Sequence, residues 1–118
     1  MAEPTVTEST VLPKRRRARF HSLAISEVRR LTDDAIEVTF EVPPELAADY
    51  RYDPGQYIAI RTSVDGSEVR RSYSICRAPV EGQLRVGIKR DLGGLFSTWA
   101  LHSLRPGMSL DVMSPEGR

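Results

Sequence analysis

Residues 36–42, which read IEVTFEV, form the clearest alternating stretch of the chain. Apolar residues occupy every second position, and Glu37, Thr39 and Glu41 lie between them. Because successive side chains of a strand point to opposite faces, this pattern predicts a half-buried β-strand. Pro43-Pro44 follows directly and is expected to end the strand, since proline donates no ladder hydrogen bond.

Further stretches on both sides carry strand signals and are separated by turn residues. The expected strands are Phe20–Leu31, Ile36–Val42, Gln56–Thr62, Glu68–Cys76, Leu84–Lys89 and Met108–Met113. Asp65-Gly66 is a hairpin signal, so the fourth strand should return antiparallel to the third. Glu45–Tyr50 is expected to form one helical turn, and Phe96–Leu104 a helix. Six short strands with one helix predict an all-β fold, either a small antiparallel barrel or a sandwich.

Size and composition limit the classes of protein to which the chain can belong. A chain of 118 residues suits a single domain that buries about two thirds of its surface. Its 17 Lys and Arg residues against 16 Asp and Glu residues give a net charge of +1, which argues against a dedicated nucleic-acid binder. One cysteine, Cys76, excludes an internal disulfide and a cysteine-only metal or iron–sulfur site within these residues.

The amino-terminal region differs in texture from the rest. Residues 1–18 lack periodicity and end in a basic cluster at Lys14–Arg19, so we expect a disordered, solubilising tail. A contact with nucleic acid or an acidic partner is the alternative for this cluster. No stretch has the pattern of a signal peptide or the length of a membrane span, and the expected location is the cytoplasm.

The most unusual stretch is RRSYSIC, residues 70–76, because two arginines lie inside an expected strand. Arg71 and Tyr73 should share a face, being two positions apart. A guanidinium beside a phenol ring offers a phosphate fork next to a flat stacking surface, which suits a flavin nucleotide. The alternative is that Arg70 and Arg71 are solvated charges beside a hairpin.

A second candidate stretch is GGLFS, residues 93–97, at the expected start of the helix. Gly93 and Gly94 would let backbone N–H groups approach a phosphate, and the helix start adds a partial positive charge. The hydroxyl of Ser97 could cap the helix or bond a phosphate oxygen. A plain tight turn is the alternative here. Lys89, on the preceding strand, could reach a phosphate or could be solvated.

Taken in order, these motifs resemble those of the ferredoxin–NADP reductase superfamily. Residues 71–74 match its Arg-x-Tyr-Ser motif, residues 54–57 its Pro-Gly-Gln-Tyr turn, and residues 94–97 its Gly-x-x-Ser phosphate loop. Within the superfamily, residues 70–77, 86–90 and 93–97 are most similar to the reductase subunits of phenylacetyl-CoA epoxidases.

The resemblance implies a six-stranded antiparallel Greek-key barrel with one short capping helix, spanning residues 19–118 and binding FAD. Arg71 would contact the FAD phosphate, and Gly94 and Ser97 would hold the pyrophosphate. Tyr73 would stack on the isoalloxazine and Ser74 would lie near flavin N5, which makes these two the expected catalytic residues. The full expected cofactor-binding set is Arg71, Ser72, Tyr73, Ser74, Lys89, Gly93, Gly94, Phe96 and Ser97.

The implied function is that of the FAD-binding domain of an NAD(P)H-dependent flavin and iron–sulfur electron-transfer reductase that serves an oxygenase component in phenylacetate degradation. The chain carries no Gly-x-Gly-x-x-Gly motif and no cysteine cluster. We therefore expect the nicotinamide and iron–sulfur domains to be absent from these residues, so the chain alone should not turn over NAD(P)H efficiently. No metal, nucleic-acid or membrane partner is expected.

Two other functions stay open on the sequence. One is a non-catalytic β-barrel that binds a partner or an oligonucleotide, and the other is an FMN-binding variant. The choice between NADH and NADPH, and the terminal electron acceptor, also stay open.

Overall fold

Six strands, one α-helix and a short 3-10 turn make up the computed structural model, which describes residues 19–75, 77–91 and 94–117. The predicted tail at residues 1–18, Cys76 and Gly93 lie outside the described residues. The 3-10 turn, Pro44–Leu46, lies where one helical turn was expected. In chain order the other elements are β1 (Phe20–Thr32), β2 (Ala35–Glu41), β3 (Tyr57–Val64), β4 (Ser67–Ser74), β5 (Gln83–Lys89), α1 (Leu95–Ser103) and β6 (Ser109–Met113).

Alternating apolar residues on neighbouring strands build the core. On β2 and β5 the buried residues lie directly opposite one another, so that each apolar side chain meets another across the ladder. These pairs are Ile36 with Ile88, Val38 with Val86, and Phe40 with Leu84. The intervening residues, Glu37 and Thr39 among them, therefore lie on the outer face.

The strands form one sheet in the order β4-β3-β6-β1-β2-β5, and every described pairing is antiparallel. The long β1 pairs through Phe20–Ala24 with β6 and through its later residues with β2. The last strand, β6, is inserted between β1 and β3, which is a Greek-key connection. The sheet curls until its two edge strands, β4 and β5, come into contact. The predicted all-β, six-stranded antiparallel barrel is thus confirmed.

The hairpin between β3 and β4 fixes the register of the arginine-rich strand. Asp65 and Gly66 both have positive φ, 52° and 82°, as a two-residue type I′ turn requires. Pairing then runs from Val64 opposite Ser67 to Tyr57 opposite Ser74. The Asp-Gly signal therefore determines which residues of β4 face the interior.

Helix α1 covers the barrel interior beside β3 and β5, with which it is in contact. Phe96 and Ala100 are buried, and Trp99 packs against the core. The helix begins at Leu95, with Gly94 as its N-cap and no capping side chain, so Ser97 does not cap it. None of the helices in the described residues combines the length and hydropathy needed to cross a bilayer.

Substitution of Phe40 tests the assignment of the hydrophobic core. Its side chain is fully buried, so Phe40→Ala should lower the free energy of unfolding by about 3–5 kcal/mol, through lost burial and the cavity left behind. The exposed neighbour Glu41 provides the control, and Glu41→Ala should change it by no more than about 0.5 kcal/mol. Urea unfolding followed by circular dichroism measures both, and equal midpoints for the two variants would contradict the assignment of the core.

Candidate functional site

Strand β4 presents different chemistry on its two faces. Val69 and Tyr73 point toward the interior side, where Val69 is buried and Tyr73 half-buried, and Arg71 lies between them on the same face. The guanidinium of Arg71 uses one N–H group on the Arg70 carbonyl, at 2.9 Å. Arg71 and Tyr73 thus stand side by side where β4 meets β5.

Tyr73 is held against the helix as a neutral ring. Its ring centroid lies 6.0 Å from that of Phe96, which in turn lies 5.8 Å from that of Trp99. Burial raises the pKa of the Tyr73 phenol to about 12; the guanidinium of Arg71 lowers that pKa and the carboxylate of Asp91 raises it further. The phenol is therefore uncharged at neutral pH, and its pKa responds to the charge of Arg71 on β4 and to that of Asp91 before α1.

The loop before α1 is closed by its own hydrogen bonds. The Gly94 N–H donates to the Asp91 carbonyl at 2.8 Å, and the Asp91 N–H donates to Ser97 Oγ at 3.0 Å. A Cβ added at Gly94 would lie 2.8 Å from Ser97 Oγ and 3.0 Å from the Asp91 carbonyl oxygen. Close packing, rather than an unusual φ, is what requires glycine at position 94.

The start of α1 supplies hydrogen-bond donors beside this loop. The Thr98 N–H donates to the Gly94 carbonyl at 3.2 Å, so the N–H groups of Leu95, Phe96 and Ser97 have no acceptor within the helix. The helix start also carries a partial positive charge. The buried Ser97 accepts from Asp91 and keeps its own O–H to donate.

A shallow groove lies at the end of β4. Ser72 and Ser74 are exposed there, and together with Tyr57 and Tyr73 they line a groove of about 320 Å³. Larger cavities of about 390–700 Å³ exist near the 3-10 turn, and none of the predicted site residues lines them.

Gln56 anchors the end of β4, a role that sequence analysis missed. Its Oε1 accepts from the Asp53 N–H and its Nε2 donates to the Gly117 carbonyl, both at 2.9 Å. Its main-chain carbonyl accepts from the Ile75 N–H at 2.9 Å. The Pro-Gly-Gln-Tyr turn therefore ties the end of β4 to the segment at residues 115–117, where Tyr57 pairs with Glu116. A long polar side chain directly after a Pro-Gly turn was the only signal.

The structure brings together part of the predicted set. Arg71, Tyr73, Phe96 and the loop that holds Gly94 and Ser97 lie around the meeting of β4, β5 and α1. Asp91 joins them although sequence analysis did not single it out. Lys89 lies exposed at the end of β5, opposite Ala35. Ser72 and Ser74 point to the other face of β4, and they share with Tyr73 the groove at the end of that strand.

The donor set is chemically suited to FAD. A guanidinium, the free amides of a helix start and a hydroxyl are the groups that bind a pyrophosphate. The Tyr73 ring offers a flat, neutral surface supported by Phe96. The glycine at position 94 leaves the loop backbone unobstructed by a side chain.

Comparison with known proteins agrees with this chemistry. The model of the oxidoreductase FAD-binding domain family matches residues 22–118. A component of the 1,2-phenylacetyl-CoA epoxidase of Escherichia coli is 46% identical over 98 residues, which are 83% of this chain and 28% of that protein. The ferredoxin reductase component of 3-ketosteroid-9-alpha-monooxygenase from Mycolicibacterium smegmatis is 37% identical over 100 residues, 80% of this chain and 28% of that protein.

Among solved structures, the flavohem-like FAD/NAD-binding domain of nitric oxide dioxygenase from Vibrio cholerae superposes with a TM-score of 0.73 and 26% identity, covering 82% of this chain and 44% of that one. The chain spans little more than a quarter of the length of the two curated relatives. On the family match and these identities, the chain belongs to the oxidoreductase FAD-binding domain family, the FAD-binding unit of ferredoxin reductase-type oxidoreductases.

Proposed function

We propose that this chain is the flavin-binding part of an NAD(P)H-dependent reductase that passes electrons through an iron–sulfur centre to an oxygenase component in the cytoplasm, in phenylacetate degradation. The observation that carries the proposal is the placement of Arg71 and Tyr73 on one face of β4, beside the start of α1. Residues 19–118 are the flavin domain in this proposal, and residues 1–18 its tail.

The phosphate end of FAD is assigned to the cationic side of this arrangement. Arg71 provides a fork for one phosphate, and the N–H groups at the start of α1 with the O–H of Ser97 bind the other. Gly93 and Gly94 are assigned to the same phosphate loop, and Lys89 to the ribityl–phosphate stretch. Several elements are needed, because one charge-assisted hydrogen bond contributes about 1.5–3 kcal/mol whereas micromolar binding requires about 8 kcal/mol.

The isoalloxazine end is assigned to Tyr73, Ser74 and Ser72 at the end of β4. Tyr73 stacks as a neutral ring that Phe96 supports, and its raised pKa keeps a negative charge away from the flavin. Ser74, the last residue of β4, offers a hydroxyl near N5, and Ser72 lines the adjoining groove. Bound FAD supplies hydride acceptance from NAD(P)H and release of electrons one at a time.

The partners are proposed from the relatives. One is named as part of an epoxidase and another as the reductase component of a monooxygenase, which supports an oxygenase as the recipient of electrons. A structural relative is named for binding both FAD and NAD, which supports a pyridine nucleotide donor. The nicotinamide and iron–sulfur functions are assigned to parts of the protein other than these residues.

Titration with FAD tests the assignment of the two central residues. Arg71→Ala and Tyr73→Ala should each weaken FAD binding by about tenfold or more, since each removes a charged fork or a stacking surface. Arg70→Ala is the matched control, because Arg70 is the adjacent arginine on the other face, 5.0 Å from the Phe20 ring. It should leave FAD affinity within about twofold. Quenching of flavin fluorescence measures all three.

If the Arg71→Ala and Tyr73→Ala proteins bind FAD as the unaltered chain does, the site assignment fails. Failure of the unaltered chain to bind FAD, with retention of an oligonucleotide in a salt-dependent manner, would instead favour the binding-module alternative. A parallel titration with FMN separates the two flavins.

Alanine substitutions at two glycines test whether the loop before α1 has a specific role in FAD binding, beyond the general effect of an added side chain. Gly94→Ala should weaken FAD binding by about tenfold, because its Cβ would force Ser97 and Asp91 to shift. Gly87→Ala should have no such effect, since among the described residues the added Cβ would meet within 4 Å only the Ile36 carbonyl oxygen, at 4.0 Å. The same fluorescence titration measures both, and an equal loss in the two variants would show that the loop has no special role.

A further inference from the structure

The line along which β4 and β5 meet, which we call the seam, is where the barrel closes. Among the described residues no main-chain hydrogen bond joins the two strands, although they are in contact. The residues assigned to FAD lie along this seam, on β4, at the end of β5 and at the start of α1. The ladder with β3 holds one edge of β4, so side chains must determine how its other edge lies against β5.

An ion pair crosses the seam on the outer face. Arg77, which follows β4, donates from Nε to Glu37 Oε2 at 2.8 Å and from Nη2 to Glu37 Oε1 at 3.0 Å. Glu37 lies on β2, beyond β5, and the residue of β5 opposite it is Gly87.

Arg77 is held at both of its ends. Its main-chain carbonyl accepts a hydrogen bond from the Tyr52 hydroxyl at 2.9 Å, and its guanidinium makes the two-pronged contact with Glu37. Just before it, the Ile75 N–H donates to Gln56. The end of β4, which carries Tyr73 and Ser74, is therefore fixed from the segment that follows it.

Glu37 is a well-defined anchor. Its side chain is only 12% exposed, and a second guanidinium, that of Arg29, donates to Oε1 at 3.0 Å. The hydrogen bond from Arg77 is the main cause that holds the pKa of this carboxyl below its usual range. The anchor is therefore ionised at neutral pH.

Arg29 and Arg77 bind the same carboxylate but differ in what they connect. Arg29 reaches Glu37 from the paired strand β1, within one hairpin. Arg77 reaches it from across the seam, 40 positions away in the chain. If the ion pair served only the stability of the surface, the two arginines would be equivalent.

We propose that Arg77 is a positioning residue of the FAD site, which sets through its fork on Glu37 how Tyr73 and Ser74 lie across the seam from α1. The inference rests on the proposed assignment of Arg71 and Tyr73 to FAD. It assigns no contact between Arg77 and the cofactor.

Charge-conserving variants test the proposal. Arg77→Lys keeps the positive charge but cannot form the planar fork. It should weaken FAD binding by about tenfold, because Tyr73 and Ser74 would have to be ordered when the cofactor binds. It should also change the induced visible circular dichroism of the bound flavin. Arg29→Lys, the matched control, should alter FAD affinity by less than about twofold and leave the spectrum unchanged. Thermal unfolding without FAD should be similar for the two variants.

A double variant tests whether Arg77 acts on the FAD site through Glu37. Glu37→Gln should weaken FAD binding as Arg77→Lys does, and the combined variant should lose little more than either alone, because both remove the same contact. Equal effects of Arg77→Lys and Arg29→Lys on affinity and spectrum, or additive effects of Arg77→Lys and Glu37→Gln, would overturn the proposal.

The same titrations distinguish this failure from failure of the proposed function. A loss with Arg71→Ala and Tyr73→Ala but none with Arg77→Lys refutes only the positioning role. An unaltered chain that does not quench flavin fluorescence refutes both.

Discussion

Closure of the sheet along the seam is the constraint on which the rest of the structure depends. A curled antiparallel sheet gains its ladder hydrogen bonds strand by strand, but β4 and β5 meet in the described residues without any. Their unpaired main-chain groups would otherwise form an open edge. Contact with α1 through Tyr73 and Phe96, and the ion pair of Arg77 with Glu37, hold this edge together.

The same constraint explains why the candidate site lies where it does. A seam without ladder hydrogen bonds can admit a ligand between its strands, whereas a paired strand cannot. Arg71 and Tyr73 lie on the edge strand, and the loop closed by Asp91, Gly94 and Ser97 faces them from the start of α1. The barrel thus provides rigid walls, and the one place in the described sheet where neighbouring strands are not paired is where polar groups converge.

Much of the fold could be predicted from the sequence because it is local. Alternation defined β2 and β5, the Asp-Gly turn fixed the β3–β4 register, and glycines marked the start of α1. Ser97 was expected to cap the helix or bond a phosphate oxygen; it does not cap the helix, and its oxygen accepts from the Asp91 N–H instead, while the phosphate contact stays a prediction. The Gln56 bridge and the pairing of Arg77 with Glu37 could not be predicted, since they join residues 61 and 40 positions apart. No local pattern encodes such a contact.

The energetics of binding make rigidity at the seam matter more than any one contact. The arginine, the stacked ring and the helix amides come from different elements, and each contributes only part of the roughly 8 kcal/mol that micromolar affinity requires. Their contributions add up fully only if β4 and α1 already hold their bound positions before the cofactor arrives. Ordering them on binding would cost part of the binding free energy. A fork such as that of Arg77 on Glu37 restricts orientation as well as distance. Its contribution to the stability of the barrel is small for a half-exposed arginine, so its effect is expected in the geometry of β4 rather than in the free energy of unfolding.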